Sequence, residues 1–306
     1  MISDKSFEEM LASVDERFTP EYFEQLKQNS YKQDREYPEN FSNWYPNIVD
    51  FGKLNHVDII NNQILTLEET KVLEQEDYSK VDWNKLNEIL KPTLDKMKPY
   101  TTYNLKNGCY SNKFEFDTSL VTKQNLAQQL WKINYMSTLH DTGGYTEIVL
   151  RELIPNTLPT NHLTIYSGMP LRDEYRVFYN MDTKQVEYIV DYWDYEYCSQ
   201  YLKPTDKLVF DYFHNKLSYK DGEEETSIYN QSLKRSNFET ELKIVKEKVL
   251  TLKFNDKMKG IWSIDILKEG NEYYLIDMAR GFRSAYWSIN KLSEESRNKI
   301  LNEIDE

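Results

Sequence analysis

Cysteine is nearly absent from this sequence, which has two among 306 residues, Cys109 and Cys198. They form no CxxC pair and the four histidines are dispersed, so the sequence predicts neither a structural zinc site nor a disulfide framework. There is no run of about 18 apolar residues, and the charged first residues are unlike a signal peptide. We therefore predict free thiols in a soluble, cytoplasmic protein that does not bind membranes.

Positive charge is also in short supply, because the formal net charge is −13 at pH 7. Nucleic acids and anionic membranes are bound largely through Lys and Arg side chains that neutralise phosphate groups. The charge balance therefore argues against general nucleic-acid binding. It remains compatible with a local basic pocket.

Arginine is scarce and unevenly distributed, with five of the nine residues in three short strand-like segments: Arg151, Arg172, Arg176, Arg280 and Arg283. A guanidinium group can bind phosphate or carboxylate through two parallel hydrogen bonds. The concentration therefore indicates an oxyanion site assembled from these segments. Structural ion pairs would produce the same pattern.

The most informative pattern is a predicted β-hairpin over residues 261–280. Two apolar, aromatic-rich runs each carry one acid, Asp265 and Asp277, and Glu269-Gly270-Asn271 supplies the turn between them. Facing carboxylates repel each other unless a cation or a shared proton lies between them. The pattern therefore predicts a divalent metal bound by oxygen ligands, as Mg²⁺ is bound beside phosphates. The alternative is that one Asp faces solvent or caps a turn.

The first hundred residues are polar and mostly helical in pattern. Helices are predicted over residues 7–18, 20–27 and 83–97, the last with Asp82 as its N-cap, and short strands over 48–51 and 57–65. After residue 100 strands and helices alternate. Strands are predicted over 101–106, 114–116, 147–154, 171–179 and 186–192, and helices over 121–139 and about 238–252.

Two of these strands carry residues suited to a ligand. Alternation places Glu174 and Arg176 on one face of their strand, where a simple ion pair between them is the alternative interpretation. The strand over 147–154 ends in Glu152-Leu153-Ile154-Pro155, and the proline removes a hydrogen-bond donor from the sheet. A free backbone edge is thereby left for a ligand such as a purine base. The alternative is that Glu152 is only a solvated strand end.

The order of these parts resembles the ATP-grasp family from about residue 100 to 290. The parts follow one another in this order: a Lys-bearing strand and loop, a strand, a helix, a hinge strand, an Arg-bearing strand, a long helix and a two-Asp hairpin. The similarity is strongest to compact bacterial and phage forms and to the eukaryotic cell-division-cycle protein that assists assembly of a translation initiation factor. The segments that carry it are residues 148–152, residues 174–178, and Asp265 with Asp277.

The resemblance implies an α+β (α/β) fold in which a nucleotide lies between two lobes, each containing an antiparallel sheet. Residues 1–100 would form an α-rich region that contributes to a substrate pocket or has an accessory role. Residues 101–155 would form the small lobe, and residues 156–306 the large lobe with the metal site. ATP and Mg²⁺ are the implied cofactors.

Carried over residue by residue, the resemblance implies a nucleotide-binding set: Lys106, Lys113, Arg151, Glu152, Leu153 and Ile154. Asp265 and Asp277 would bind Mg²⁺, Arg176 and Arg280 would be catalytic, and residues 107–112 would form a mobile loop over the phosphates. The sequence departs from the family at Ala279, where the family has Asn. Arg280, Ser284 or water is expected to compensate, or only one ion binds tightly.

The activity implied by the resemblance is that of an ATP-dependent ligase, which phosphorylates a carboxylate and joins it to an amine or another nucleophile. The alternative is a nucleotide-binding assembly factor or chaperone that binds a protein or peptide partner without ligase turnover. Nucleotidyl transfer to RNA is disfavoured, because Lys106-Asn107-Gly108 lacks the acid of the Lys-x-Asp-Gly nucleophile motif. The sequence leaves enzymatic activity open.

Overall fold

A computed structural model describes residues 19–108, 110, 112–139, 146–154, 163–214 and 237–305. Within them the fold is mixed α/β and is built around a four-stranded sheet, here the small sheet, and a five-stranded sheet, here the large sheet. The helix predicted over residues 7–18 lies outside the described residues.

The strands are numbered in chain order. They are β1 (Ile48–Asp50), β2 (Asn55–His56), β3 (Ile59–Ile64), β4 (Tyr103–Asn107), β5 (Leu120–Val121), β6 (Glu147–Glu152), β7 (Thr164–Ile165), β8 (Met169–Pro170), β9 (Glu174–Asn180), β10 (Gln185–Asp191), β11 (Lys253–Phe254), β12 (Ile261–Glu269) and β13 (Glu272–Arg280).

The α-helices are α1 (Pro20–Glu36), α2 (Phe41–Trp44), α3 (Leu67–Leu73), α4 (Trp83–Leu94), α5 (Leu126–Leu139), α6 (Tyr195–Cys198), α7 (Pro204–Phe213), α8 (Phe238–Val249) and α9 (Glu294–Asp305). Short 3₁₀ helices cover Tyr45–Asn47, Tyr78–Lys80, Lys113–Ser119, Gly281–Arg283 and Ile289–Lys291. Across the described part of the chain, every helix is too short or too polar to cross a membrane.

The small sheet has the order β3-β6-β4-β5 and is antiparallel throughout. Its central strand β6 begins with four fully buried residues, as expected for a strand covered on both faces. One face packs on α3, α4 and α5 through a core that includes Leu86, Leu105 and Leu150. The other face is free to border a cavity.

The large sheet has the order β10-β9-β12-β13-β2. The predicted hairpin is confirmed as β12 and β13, and Gly270 has the positive φ of +60° that its turn requires. Every residue of β9 is buried, because β9 lies between β10 and β12. Val177 and Ile264 belong to one core cluster with Val245 and Val249 of α8 and with Val149 of β6.

Strands from the first hundred residues join other parts of the fold, although a boundary near residue 100 is predicted. β3 is an edge strand of the small sheet, β2 pairs in parallel with β13 of the large sheet, and β1 pairs with β11. These residues therefore extend both sheets.

Local signals in the sequence have mixed outcomes. Asp82 is confirmed as the N-cap of α4, since its carboxylate accepts a hydrogen bond from the Lys85 amide at 3.0 Å. The strand predicted over 114–116 is wrong, because this segment lies in the 3₁₀ helix Lys113–Ser119. There the Thr118 hydroxyl donates to the Glu115 carbonyl, a local bond that competes with sheet pairing.

Candidate functional site

A cavity of about 500 Å³ lies between the small and large sheets. Its apolar lining includes Val57, Leu153, Met169, Leu267 and Ile276, and its charged lining includes Lys113, Arg151, Glu152, Arg172, Glu174, Asp265 and Asp277. The volume falls within the range of about 300–1,000 Å³ that is common for small-molecule sites. Apolar walls with a few convergent charges suit a ligand that has an aromatic part and an anionic part.

The hairpin brings its two acids together as predicted. Asp265 lies directly opposite Asp277, and the register shifts between Asp265 and Ile266, so Ile276 is the extra residue of a β-bulge in β13. Bulges change the direction of side chains, and here both Ile276 and Asp277 line the cavity. Two carboxylates therefore border the same space.

Each acid already has its own cation, so electrostatic repulsion does not require a metal between them. Arg176 binds Asp265 through two hydrogen bonds, from Nε at 2.8 Å and from Nη2 at 2.7 Å. Lys106 Nζ lies 2.7 Å from both carboxylate oxygens of Asp277. The inference of a metal from repulsion alone is thereby corrected.

The pair between Lys106 and Asp277 crosses from the small sheet to the large sheet. Lys106 is 2% exposed, whereas the side chain of Asp277 is 32% exposed and lines the cavity. Burial pushes the pKa of Asp277 upward, but the charges of Lys106 and Arg151 outweigh it and hold the pKa below its ordinary value. Asp277 is therefore ionised at neutral pH.

Arg151 forms a second connection between the sheets. Its Nη1 donates to the Ile276 carbonyl at 2.6 Å, and its Nη2 donates to the Asn104 side chain at 2.8 Å. Its buried Nε has no hydrogen-bond partner among the described residues. Such a donor fits an anionic ligand, because burying it unpaired costs about 1–3 kcal/mol.

Lys113 and Tyr192 form another part of the cavity wall. Lys113 Nζ donates to the Tyr192 hydroxyl and lies 4.9 Å from the centre of the Tyr192 ring. The Arg176 guanidinium lies 4.8 Å from the same ring centre. Two cationic groups thus converge on one aromatic ring beside the acids, which favours an anion in this part of the cavity.

Glu174 also lines the cavity, and the alternative interpretation of an ion pair between Glu174 and Arg176 is wrong, because the Arg176 side chain binds Asp265 instead. Burial, followed by the negative charge of Asp265, raises the pKa of Glu174 from 4.5 to about 8. The folded protein therefore holds a proton on Glu174 at neutral pH.

The raised pKa predicts a pH dependence of stability. Between about pH 4.5 and pH 8 the folded state keeps a proton on Glu174 that the unfolded state releases, so this group lowers the free energy of unfolding as pH rises. The slope is at most about 1.4 kcal/mol per pH unit. Glu174→Gln should remove this part of the slope in urea unfolding with EDTA present. Glu272→Gln, an exposed site on β13 of the same sheet, should leave it unchanged, and equal slopes in wild type and Glu174→Gln would contradict the assignment.

Arg280, a predicted catalytic residue, does not line the cavity. It is exposed and three residues beyond Asp277, so strand alternation directs its side chain to the opposite face of β13. Its backbone N–H donates to the Glu39 carboxylate at 3.3 Å. Arg280 thus lies apart from the cavity lining, and its catalytic role stays a prediction.

The loop predicted to cover the phosphates lies elsewhere in its described part. Asn107, Gly108, Tyr110 and Asn112 are buried, and Asn107 pairs through its backbone with Tyr110. Cys109 and Ser111 lie outside the described residues. The described loop residues pack into the lobe of the small sheet rather than line the cavity.

Asp265 and Asp277 suit Mg²⁺, which is commonly bound by one or two carboxylates together with phosphate oxygens and water. The part of the chain that the structure describes has no group of three or more His, Cys, Asp or Glu arranged to bind a metal. Next to Ala279, the Ser263 hydroxyl contacts the Ser284 hydroxyl at 2.6 Å and the Ala279 carbonyl at 3.3 Å. The residues present therefore fit an ion that enters with phosphate ligands.

No family model matches the chain, and no curated protein matches it. Two solved structures of Cdc123 from Schizosaccharomyces pombe are distant structural neighbours. Cdc123 is 15% identical, its C-terminally truncated form is 13% identical, and for both the TM-score is 0.45 with 87% of this chain and 94% of that chain covered.

Most of the predicted site residues lie around one cavity. The cavity is lined by Lys113, Arg151, residues 152–154, Asp265 and Asp277. Lys106 and Arg176 are not among the lining residues but bind Asp277 and Asp265, respectively. Three further residues line the cavity: Arg172, Glu174 and Tyr192. The sequence analysis places Arg172 among the arginines of an oxyanion site and Glu174 on the same strand face as Arg176, so the signal for both was available.

Proposed function

We propose that this protein binds Mg-ATP in the cavity between its two sheets, in the manner of an ATP-grasp protein. The observation that carries the proposal is the convergence of a strand end, apolar walls, cations and two facing acids on one space of about 500 Å³. A purine ring suits the apolar part near residues 152–154. The triphosphate suits the cationic part.

The residues divide into three binding roles in this proposal. Residues 152–154 border the base, Lys106, Lys113 and Arg151 neutralise phosphate oxygens, and Asp265 with Asp277 holds Mg²⁺. Bound Mg-ATP would supply a polarised γ-phosphoryl group. The role of the chain is to position the nucleotide and exclude water from it.

Binding requires an exchange of partners at the acids. Lys106 and Asp277 neutralise each other before nucleotide enters, and so do Arg176 and Asp265. Asp265 and Asp277 would hold Mg²⁺, and Lys106, no longer needed to neutralise Asp277, would then be available for a phosphate oxygen. The site therefore favours nucleotide and metal entering together.

Between the two candidate functions, we favour a nucleotide-binding assembly factor that binds a protein partner over an ATP-dependent ligase. Arg280, which the ligase interpretation uses as a catalytic residue, lies outside the cavity, and Ala279 provides no side-chain ligand. The residues proposed to bind Mg-ATP are all at the cavity or in contact with its acids, whereas one of the two residues proposed to catalyse phosphoryl transfer, Arg280, is not. An acceptor carboxylate or amine remains the substrate class of the ligase alternative.

Thermal unfolding with and without Mg²⁺ and ATP tests the proposal. A ligand of the native state at 100 times its Kd should raise the free energy of unfolding by about 2.7 kcal/mol. We expect this rise for wild type and for Asp50→Asn, an exposed control. Asp277→Asn should lose the part of this rise in the free energy of unfolding that depends on Mg²⁺.

The absence of any rise at saturating nucleotide would refute nucleotide binding. When binding is present, product analysis separates the functions. ADP release with a carboxylate and an amine acceptor would establish the ligase, AMP would indicate adenylyl transfer, and binding without turnover would support the assembly factor.

A further inference from the structure

Arg172 is a buried cation at the point where the chain leaves the small sheet. Its side chain is 10% exposed and lines the cavity, and its Nη2 donates to the Ile154 carbonyl at 3.2 Å. Its Nη1 lies 3.5 Å from the Glu269 carboxylate, which is 6% exposed. One guanidinium thus joins the segment after β6 to the end of β12.

The backbone on both sides of Arg172 is anchored. The Leu171 N–H donates to the Leu163 carbonyl at 2.8 Å, and the Lys268 N–H donates to the Asp173 carbonyl at 2.8 Å. The Cα of Arg172 is therefore held against the large sheet. Its side chain extends from this fixed base to a carbonyl of the other lobe.

The contact is chemically selective. A guanidinium bond to a carbonyl is charge-assisted and stronger than a bond between neutral groups. Burying the ionic pair of Arg172 and Glu269 is costly, and removing one partner leaves the other charge uncompensated. Both groups are therefore held in one arrangement, which fixes the direction of the Ile154 carbonyl.

We propose that Arg172 is a positioning residue for the base of the bound nucleotide. It holds the backbone of Leu153 and Ile154 against the large sheet, and Glu269 holds Arg172. The ligand part concerned is a planar, hydrogen-bonding nucleobase, and the inference rests on the proposed nucleotide-binding function. Arg172 acts on the base through the hinge backbone rather than through the phosphates.

Binding of two probes distinguishes this role from a general structural one. Mg-ATP contains the base, whereas inorganic triphosphate with Mg²⁺ does not. We expect Arg172→Met to weaken Mg-ATP about tenfold or more, the loss typical of a charge-assisted hydrogen bond, and to leave the affinity for triphosphate unchanged. Arg172→Lys should recover part of the Mg-ATP affinity.

A second variant keeps the test decisive if Arg172→Met does not fold. Glu269→Gln conserves shape and should weaken Mg-ATP in the same selective way. Lys268→Met is the matched control, because it breaks the neighbouring buried pair of Lys268 with Glu241 at 2.8 Å. It should not change the preference for Mg-ATP over triphosphate.

The outcomes separate this inference from the proposed function. If wild type binds neither probe, the nucleotide-binding function fails and the positioning role fails with it. If wild type binds Mg-ATP and Arg172→Met and Glu269→Gln bind it equally well, only the positioning role is overturned. Equal losses for Mg-ATP and triphosphate would also overturn it, because the base would then have no special dependence on Arg172.

Discussion

Replacing Asp265 with alanine should lower the free energy of unfolding by about 3–5 kcal/mol, because it leaves the buried Arg176 without its counter-charge. The side chains of Arg176 and Asp265 are 10% and 9% exposed and share two short hydrogen bonds. Arg176 cannot lose its proton, so its charge would remain inside the protein. Urea unfolding without nucleotide or metal measures the change.

A double-mutant cycle tests whether the loss comes from the pair itself. Asp265→Ala combined with Arg176→Met should be much less destabilising than the sum of the single changes, because no uncompensated charge then remains. Asp50→Ala is the matched surface control, since the pair of Asp50 with Lys253 is exposed and screened by solvent, so its loss should change the free energy of unfolding little. A loss below about 1 kcal/mol for Asp265→Ala would contradict this account.

The sequence predicts the hairpin and its acids because their signals are local. Alternating apolar residues set two strands, and Gly270 tolerates the positive φ of the turn between them. The turn fixes the register as far as Ile266 opposite Leu275, and a β-bulge that leaves Ile276 unpaired then places Asp265 opposite Asp277. The Asp82 cap is predictable for the same reason, since its bond to the Lys85 amide spans three residues.

The ion pairs of the site are not local, and the sequence does not reveal them. Lys106 and Asp277 are 171 residues apart, and Arg176 and Asp265 are 89 apart. Same-strand alternation suggests Glu174 as the partner of Arg176, but β12 pairs with β9 so that Asp265 lies directly opposite Arg176. Tertiary pairing therefore decides which carboxylate is neutralised and which one holds a proton.

The strands of the N-terminal region show a second limit. β1 lies within the strand predicted over residues 48–51, but β2 has two residues, too few for alternation to be recognised as a pattern. Their positions depend on free edges offered by β11 and β13, which lie about 200 residues further along the chain. A separate N-terminal region is consequently the natural prediction from the change of pattern near residue 100, although its strands complete sheets built by later residues.

Lys106→Met should change two affinities in opposite directions. We expect Mg-ATP to bind about 10- to 100-fold more weakly, because a buried ammonium that neutralises a phosphate oxygen is lost. Mg²⁺ alone should bind more tightly, because Asp277 no longer has Lys106 at 2.7 Å as a competing cation. Isothermal titration with Mg-ATP and with Mg²⁺ alone measures both.

The opposite directions distinguish partner exchange from damage to the fold. Lys268→Met removes another largely buried lysine from an ion pair, in this case with Glu241, and it should leave both affinities unchanged. General destabilisation by Lys106→Met would weaken both ligands. An unchanged affinity for Mg-ATP would show that Lys106 serves only to neutralise Asp277. A weaker affinity for Mg-ATP together with a tighter affinity for Mg²⁺ is the result expected if Asp277 exchanges Lys106 for a metal ion when the nucleotide binds.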